Sequence, residues 1–236
     1  MVAALSHLEL SYTPVPGAAS TAVKRAMMAL DPSVPERIAR DIAADARRVH
    51  ALYPTRKFRR ARLAAQGDWF TFTVVRDPVA RLLAVYGAAI ASGELVGSEH
   101  LRRGWAPLPA TPDPDVFFEN FAAYRAASVT VKSRAVPQVY FTGPDLSLYA
   151  RVYRAENLDE ARREVSRPTG QILRFPVSPE ARDRLALRDL GPRAQSVVMA
   201  EVAPDRALYD DVLRLSVARS AAPLPKRERS VQGRAA

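Results

Sequence analysis

Leu8, Leu10 and Tyr12 alternate with His7, Glu9 and Ser11, and this period of two predicts a strand ending before Pro14. After the loop from Pro14 to Ala19, Val23, Met27 and Leu30 recur at helical spacing, with Ser20 or Thr21 as the expected N-cap and Asp31-Pro32 as the stop. Ile38, Ile42, Ala46 and Val49 mark a second helix from Pro35 to about Val49. Trp69 to Val75 is a nearly continuous apolar and β-branched run, as expected of a strand buried on both faces. Asp77 then caps a helix with Pro78 at its first position and Val79, Leu82, Leu83 and Tyr86 along one stripe.

Gly93 to Pro114, with Pro107, Pro109 and Pro112, reads as loop. Asp113-Pro114 opens a helix whose stripe of Phe117, Phe118, Phe121 and Tyr124 is expected in the core. Tyr149–Arg154 and Gln171–Phe175 read as short strands, with helices at Pro179–Leu187, Pro192–Val202 and Asp205–Val217. Strands alternating with helices predict an α/β fold with a mostly parallel central sheet flanked by helices. The expected domain spans 1–218, and 219–236, rich in Ala, Pro and Arg, reads as a disordered basic tail.

Composition narrows the chemistry. The 236 residues include no cysteine, which excludes disulfides, thiolate metal sites and a cysteine nucleophile. His7, His50 and His100 stand far apart at no metal-ligand spacing, so no metal is expected. The net charge of +10 favours anionic ligands. Only four of the 35 basic residues are lysines (Lys24, Lys57, Lys132 and Lys226), and the remainder are arginines, the better bidentate readers of phosphate and sulfate. A nucleic-acid binder would interleave such residues with exposed aromatics, whereas the aromatics here fall on core stripes. The N-terminal stretch lacks a basic, then apolar, leader pattern, and Arg81 interrupts the longest apolar run, so neither a signal peptide nor a spanning helix is expected. The expected compartment is a reducing cytoplasm.

Two strand-to-helix corners carry the candidate chemistry. Helix N-termini beyond the carboxyl ends of parallel strands present free N–H groups to anions. The first corner, Pro16-Gly17-Ala18-Ala19-Ser20-Thr21, is made of small residues that let backbone amides approach a ligand, with two hydroxyls at the helix start. The second, Val75-Arg76-Asp77-Pro78, delivers an arginine at a strand end. One corner for each of two anionic groups suits a nucleotide phosphorylated at both ends of its ribose. The first corner is no Walker A loop, since Ala19 stands where the lysine before Ser20 would be.

The stretch Val15-Pro16-Gly17-Ala18-Ala19-Ser20-Thr21-Ala22-Val23-Lys24-Arg25 resembles the 5′-phosphosulfate loop of the sulfotransferases, particularly the carbohydrate-type branch. Phe70 to Tyr86, containing Val75-Arg76-Asp77-Pro78 and Arg81-Leu82-Leu83, resembles that family's 3′-phosphate motif. Weaker echoes follow at Pro137-Gln138, at Arg154-Ala155-Glu156-Asn157-Leu158 and at Ala203-Pro204-Asp205 through Tyr209. The resemblance implies a P-loop-like three-layer fold that binds 3′-phosphoadenosine 5′-phosphosulfate as co-substrate without a metal. It also implies transfer of the sulfuryl group to a hydroxyl of a carbohydrate-like or other small acceptor. By matched position, Gly17, Ala18, Ala19, Ser20 and Thr21 would hold the 5′-phosphosulfate and Arg76 the 3′-phosphate, with Ala84 in the place of a contacting serine.

The departures matter as much. Gly17 stands where the family has a lysine beside the leaving oxygens, a loss worth about 2.7–4 kcal/mol by analogy with an oxyanion donor. Lys24, four residues after Ser20, or Arg25 is the expected substitute. Ala84 removes a hydrogen bond to a charged group, worth about 1.5–3 kcal/mol. Arg134 stands where part of the family has a histidine, so no general base is assigned; His50, His100, Glu94 and Glu99 qualify by side-chain chemistry only. Arg81 reads as either a helix-surface ion pair or a ligand contact, and Glu156 and Asn157 as ties between a strand end and the next helix. The alternative is a catalytically degenerate homologue that keeps nucleotide binding and serves as a regulatory module.

Overall fold

The computed structural model describes residues 3–102, 107–170, 174–175 and 185–219. In chain order the elements are β1 (Ala3–Leu5), β2 (Leu10–Thr13), α1 (Ser20–Ala29), α2 (Glu36–Ala44), α3 (Val49–Leu52), α4 (Arg60–Ala64), β3 (Phe70–Val75) and α5 (Pro78–Ser92). Then follow α6 (Glu99–Arg102), α7 (Pro114–Glu119), α8 (Phe121–Ala127), α9 (Val129–Arg134), α10 (Val139–Thr142), β4 (Arg151–Arg154), α11 (Leu158–Thr169) and α12 (Pro192–Arg219).

The described strands form one sheet in the order β1-β2-β3-β4. β2 with β3 and β3 with β4 pair in parallel, with Thr13 opposite Thr73 and Val75 opposite Arg154. The expectation of a mostly parallel sheet needs one correction: β1 is antiparallel to β2. The cause is local. Ser6–Leu8 form a 3-10 turn closed by Glu9 at φ 47, so the chain reverses there and Leu8 leaves the strand that its spacing predicted. Four residues suffice for such a reversal, whereas parallel neighbours need a long crossover.

Side chains alternate across the sheet. Leu10, Tyr12, Phe72, Val74 and Tyr153 point to one face, where α1, α2, α3 and α11 cover them through Val23, Met27, Ile42, Val49 and Val165. Tyr12 stacks on Phe72 across the strand pair at 5.0 Å, and Phe72 meets Tyr153 edge-on at 5.9 Å. Val75 and Val152 face the other side, under Leu63 of α4 and Leu208 and Val212 of α12. A second apolar cluster lies among the helices, where Leu82 and Val85 of α5 pack with Phe117, Phe118, Phe121 and Tyr124, as the aromatic stripe predicted, and with Val198 and Val202.

Other boundaries shift for identifiable reasons. The second helix stops at Ala44, because Asp45 accepts from the Arg47 amide and turns the chain into a 3-10 segment before α3. The Gly93–Pro114 loop contains α6. Two expected helices are one, α12, which continues through Pro204; proline removes a single backbone bond there, and buried Val202 and Leu208 hold both flanks. The expected Gln171–Phe175 strand and Pro179–Leu187 helix fall largely, and the 219–236 tail almost wholly, outside the described residues.

Candidate functional site

Between β2 and α1 the chain turns on two residues in the left-handed region, Gly17 at φ 77 and Ala19 at φ 56. Val15 and Ala18 are fully buried against Phe141, and the Ala18 amide donates to the Val15 carbonyl at 3.2 Å, so the turn is anchored from beneath. A left-handed alanine costs about 1–3 kcal/mol and persists only where its surroundings impose it. Ser20 or Thr21 was the expected cap, yet α1 already begins at Ser20, its N-cap is Ala19, and no side chain caps it. The methyl side chain of Ala19 offers no acceptor, so the first-turn amides are open to an external anion. The α5 start differs, because Asp77 Oδ1 accepts from the Ala80 amide at 2.7 Å.

The second corner is gripped by Gln138, which is fully buried. Its Nε2 donates to the Arg76 carbonyl at 2.8 Å, and its Oε1 accepts from the Arg76 amide at 2.9 Å. With its backbone fixed on both sides, Arg76 sends Nη1 to the Gly17 carbonyl at 3.2 Å, so the two corners meet. The Asp77 amide donates to Glu156 Oε1 at 2.9 Å, tying the ends of β3 and β4 together. Asn157 instead donates to Glu160 within its own helix turn.

Arg81 is neither on the surface nor turned outward. It is 4% exposed, pairs with Asp205 at 3.2 Å, and donates from Nη1 to the Arg134 carbonyl at 2.8 Å. Its stem underlies the loop, and a Cβ added at Gly17 would stand 3.1 Å from Arg81 Cγ. Ala84 is exposed further along α5.

Of the two cations proposed to replace the loop lysine, Arg25 is half-buried and Lys24 is wholly buried. Lys24 Nζ donates to Thr55 Oγ1 at 2.8 Å and meets His50 Nδ1 at 3.0 Å, while His50 Nε2 lies 2.9 Å from Thr21 Oγ1. Burial pulls the Lys24 pKa down to about 8. Burial together with the charges of Lys24 and Arg134 pulls His50 down to about 4. The sequence put His50 among the candidate bases, but both ring nitrogens are engaged, and its contact with residues 26 and 29 positions away has no local signature. Arg134, a departure in the sequence, brings a positive charge to this cluster.

The other candidate bases lie elsewhere. Glu94 is occupied by the Ser128 hydroxyl and by the amide and hydroxyl of Thr130 at the start of α9, which hold its carboxyl down to about 2. Glu99 and His100 belong to α6, which packs on α8. Arg56, Lys57, Arg59 and Arg62 line a separate open cleft with Pro14 and Phe141.

The arrangement thus joins open helix-start amides, a hydroxyl and three cations (Lys24, Arg76 and Arg134), chemistry suited to a phosphate or sulfate group. Among the described residues, no group of three or more His, Asp or Glu side chains could hold a metal ion, and no helix is long and apolar enough to cross a membrane. Comparison with curated proteins and with solved structures gives no significant match. A family model described as "Sulfotransferase family" matches residues 4–208, from β1 through both corners into α12, and the chain therefore belongs to the sulfotransferase family.

Proposed function

We propose that this chain moves a sulfuryl group from 3′-phosphoadenosine 5′-phosphosulfate to a hydroxyl of a small, carbohydrate-like acceptor, on a P-loop-like frame. The observation that carries the reading is the union of the two corners. An uncapped helix start follows a left-handed turn, and Arg76 reaches that same turn at the Gly17 carbonyl. The donor has an anionic group at each end of its ribose, and the two corners offer the uncapped amides of α1 and the guanidinium of Arg76, while Asp77 and Glu156 are engaged by the amides of Ala80 and Asp77.

In this reading Gly17, Ala18, Ala19, Ser20 and Thr21 wrap the 5′-phosphosulfate, with the first-turn amides and the Thr21 hydroxyl donating to its oxygens. Arg76 holds the 3′-phosphate, and Gln138 keeps the Arg76 backbone in place. The acceptor oxygen attacks sulfur as the bond from sulfur to the bridging oxygen breaks. The electron pair leaves with the 3′,5′-bisphosphate, whose growing charge the amides and nearby cations stabilise. The proton released from the acceptor hydroxyl goes to a base that we do not assign.

A second reading, nucleotide binding without transfer, is favoured by two observations. Gly17 lacks the charge of the family lysine, and His50 and Glu94 are engaged internally. Calorimetric titration of the donor and of adenosine 3′,5′-bisphosphate, followed by transfer of labelled sulfate to a panel of sugars and phenols, separates the two. Binding with transfer is expected. Binding without any transfer selects the second reading, and no binding removes both.

A further inference from the structure

Lys24 is the most heavily buried cation near the loop, and its burial lacks the usual compensation. Its side chain is 0% exposed, yet among the described residues no carboxylate pairs with it, and burial alone acts on its pKa. A buried ammonium is ordinarily paired with an anion. β1, α2, α3 and the 3-10 segment Ala46–Arg48, with its cations Arg47 and Arg48, pack against α1 and bring no carboxylate to it. The groups around the cluster are His50, Thr55 and the cation Arg134.

The hydrogen-bond chemistry then fixes a direction. An ammonium only donates, so His50 Nδ1 accepts from Lys24. The neutral ring therefore carries its hydrogen on Nε2 and donates it to Thr21 Oγ1. With that lone pair used, the hydroxyl hydrogen of Thr21 is left to donate to an acceptor outside the relay. Thr21 belongs to the uncapped first turn of α1. Such a chain polarises each successive donor.

We propose that Lys24, acting through His50, is a positioning residue for the anionic 5′ group of the donor. It orients the relay so that Thr21 donates outward, and it supplies from beneath the helix the positive charge that Gly17 does not. The inference rests on the donor reading above. It has a consequence that no purely structural role shares: a bound anion gives Lys24 its missing counter-charge, so the ammonium holds its proton more tightly and the protein takes up protons on binding near pH 8.

The test compares two probes, adenosine 3′,5′-bisphosphate and adenosine 3′-monophosphate, by calorimetry on the full chain. Lys24→Met and Thr21→Val are each expected to weaken the bisphosphate about tenfold or more, as for one lost bond to a charged group. Both should leave the 3′-monophosphate within about twofold of wild type, and the double variant should be no weaker than the worse single. Thr21→Ser should restore bisphosphate binding. At pH 8 the wild-type binding heat should vary with the ionisation enthalpy of the buffer, showing proton uptake; this readout needs no variant to fold. Equal weakening of both probes, or no proton uptake by wild type, overturns the proposal while the donor reading stands. Failure of wild type to bind either probe overturns both.

Discussion

Arg81 and Asp205, 124 positions apart, meet at 3.2 Å with both side chains 3% exposed. The same carboxylate accepts from the amides of Gln138 and Val139, so it balances one charge and starts α10. Removing one member of such a pair strands the other. Asp205→Asn should destabilise the fold by about 3–5 kcal/mol, whereas Arg81→Met with Asp205→Leu should cost less than the two single changes together. Denaturant unfolding of wild type, Asp205→Asn, Arg81→Met, Asp205→Leu and the Arg81→Met/Asp205→Leu double variant checks this; an Asp205→Asn variant within 1 kcal/mol of wild type would contradict it.

By the loop resemblance Gly17 takes the place of the family lysine, and the backbone makes any side chain there costly. At φ 77, with Arg81 Cγ 3.1 Å from any added Cβ, Gly17→Ala should cost about 1–2 kcal/mol. Gly17→Lys should carry the same penalty and, if the loop holds the phosphosulfate, tighten donor binding in return. Thermal melts alongside donor titrations separate the two effects. An unchanged melting temperature in Gly17→Ala would show that the loop relaxes without strain.

Lys24 makes the unliganded protein less stable than it could be. Its pKa is lowered from 10.5 to about 8, so between those values the unfolded chain binds the extra proton and stability rises with pH. At pH 7 the buried charge costs at most ~3 kcal/mol. Lys24→Met is expected to raise stability near neutrality and to remove the rise above pH 8. Unfolding curves at several pH values provide the measurement, and a destabilised Lys24→Met with the alkaline rise intact would refute the assignment.

His50 offers a direct spectroscopic check. Burial and two neighbouring cations pull its pKa to about 4, so native stability falls as pH drops from 6.5 towards 4. The proton resonance of the ring should titrate near 4 in wild type and move towards 6.5 in Lys24→Met. A wild-type midpoint near 6.5 would place the ring outside the cluster.

Gln138 serves Arg76 alone among the corner residues. Gln138→Met leaves the Arg76 amide and carbonyl without their partners, at about 1–3 kcal/mol for each group stranded. It should also lower bisphosphate affinity, and the loss should shrink in an Arg76→Ala background. Additive losses in the double-mutant cycle would show that the amide grip and the arginine act separately.

The sequence was most informative where structure is local. Asp77 and Pro78 announce α5 because capping is settled within four residues, and the aromatic stripe of α7 and α8 announces its own burial. β1 escaped notice because three residues, Ala3 to Leu5, carry no period. Ser20 and Thr21 read as the cap because their side chains suit it, whereas the left-handed Ala19 that takes the position is imposed by the packing of Val15 and Ala18. Arg81 on an amphipathic helix reads as a surface ion pair or a ligand contact until Asp205 arrives from far along the chain. His50 was chosen for its chemistry, but only the fold brings it to Lys24 and Thr21.

The path of α12 bears on where this molecule can be cut. The region matched to the sulfotransferases ends at residue 208. Beyond it, the Tyr209 hydroxyl lies 3.2 Å from Arg154 Nε and 3.4 Å from Glu156 Oε2, and Val212 is 1% exposed under the sheet. A fragment trimmed at the family boundary would lose the clasp behind the second corner and uncover one side of β4. A fragment meant to keep the second corner must therefore run past residue 208 to include Tyr209 and Val212.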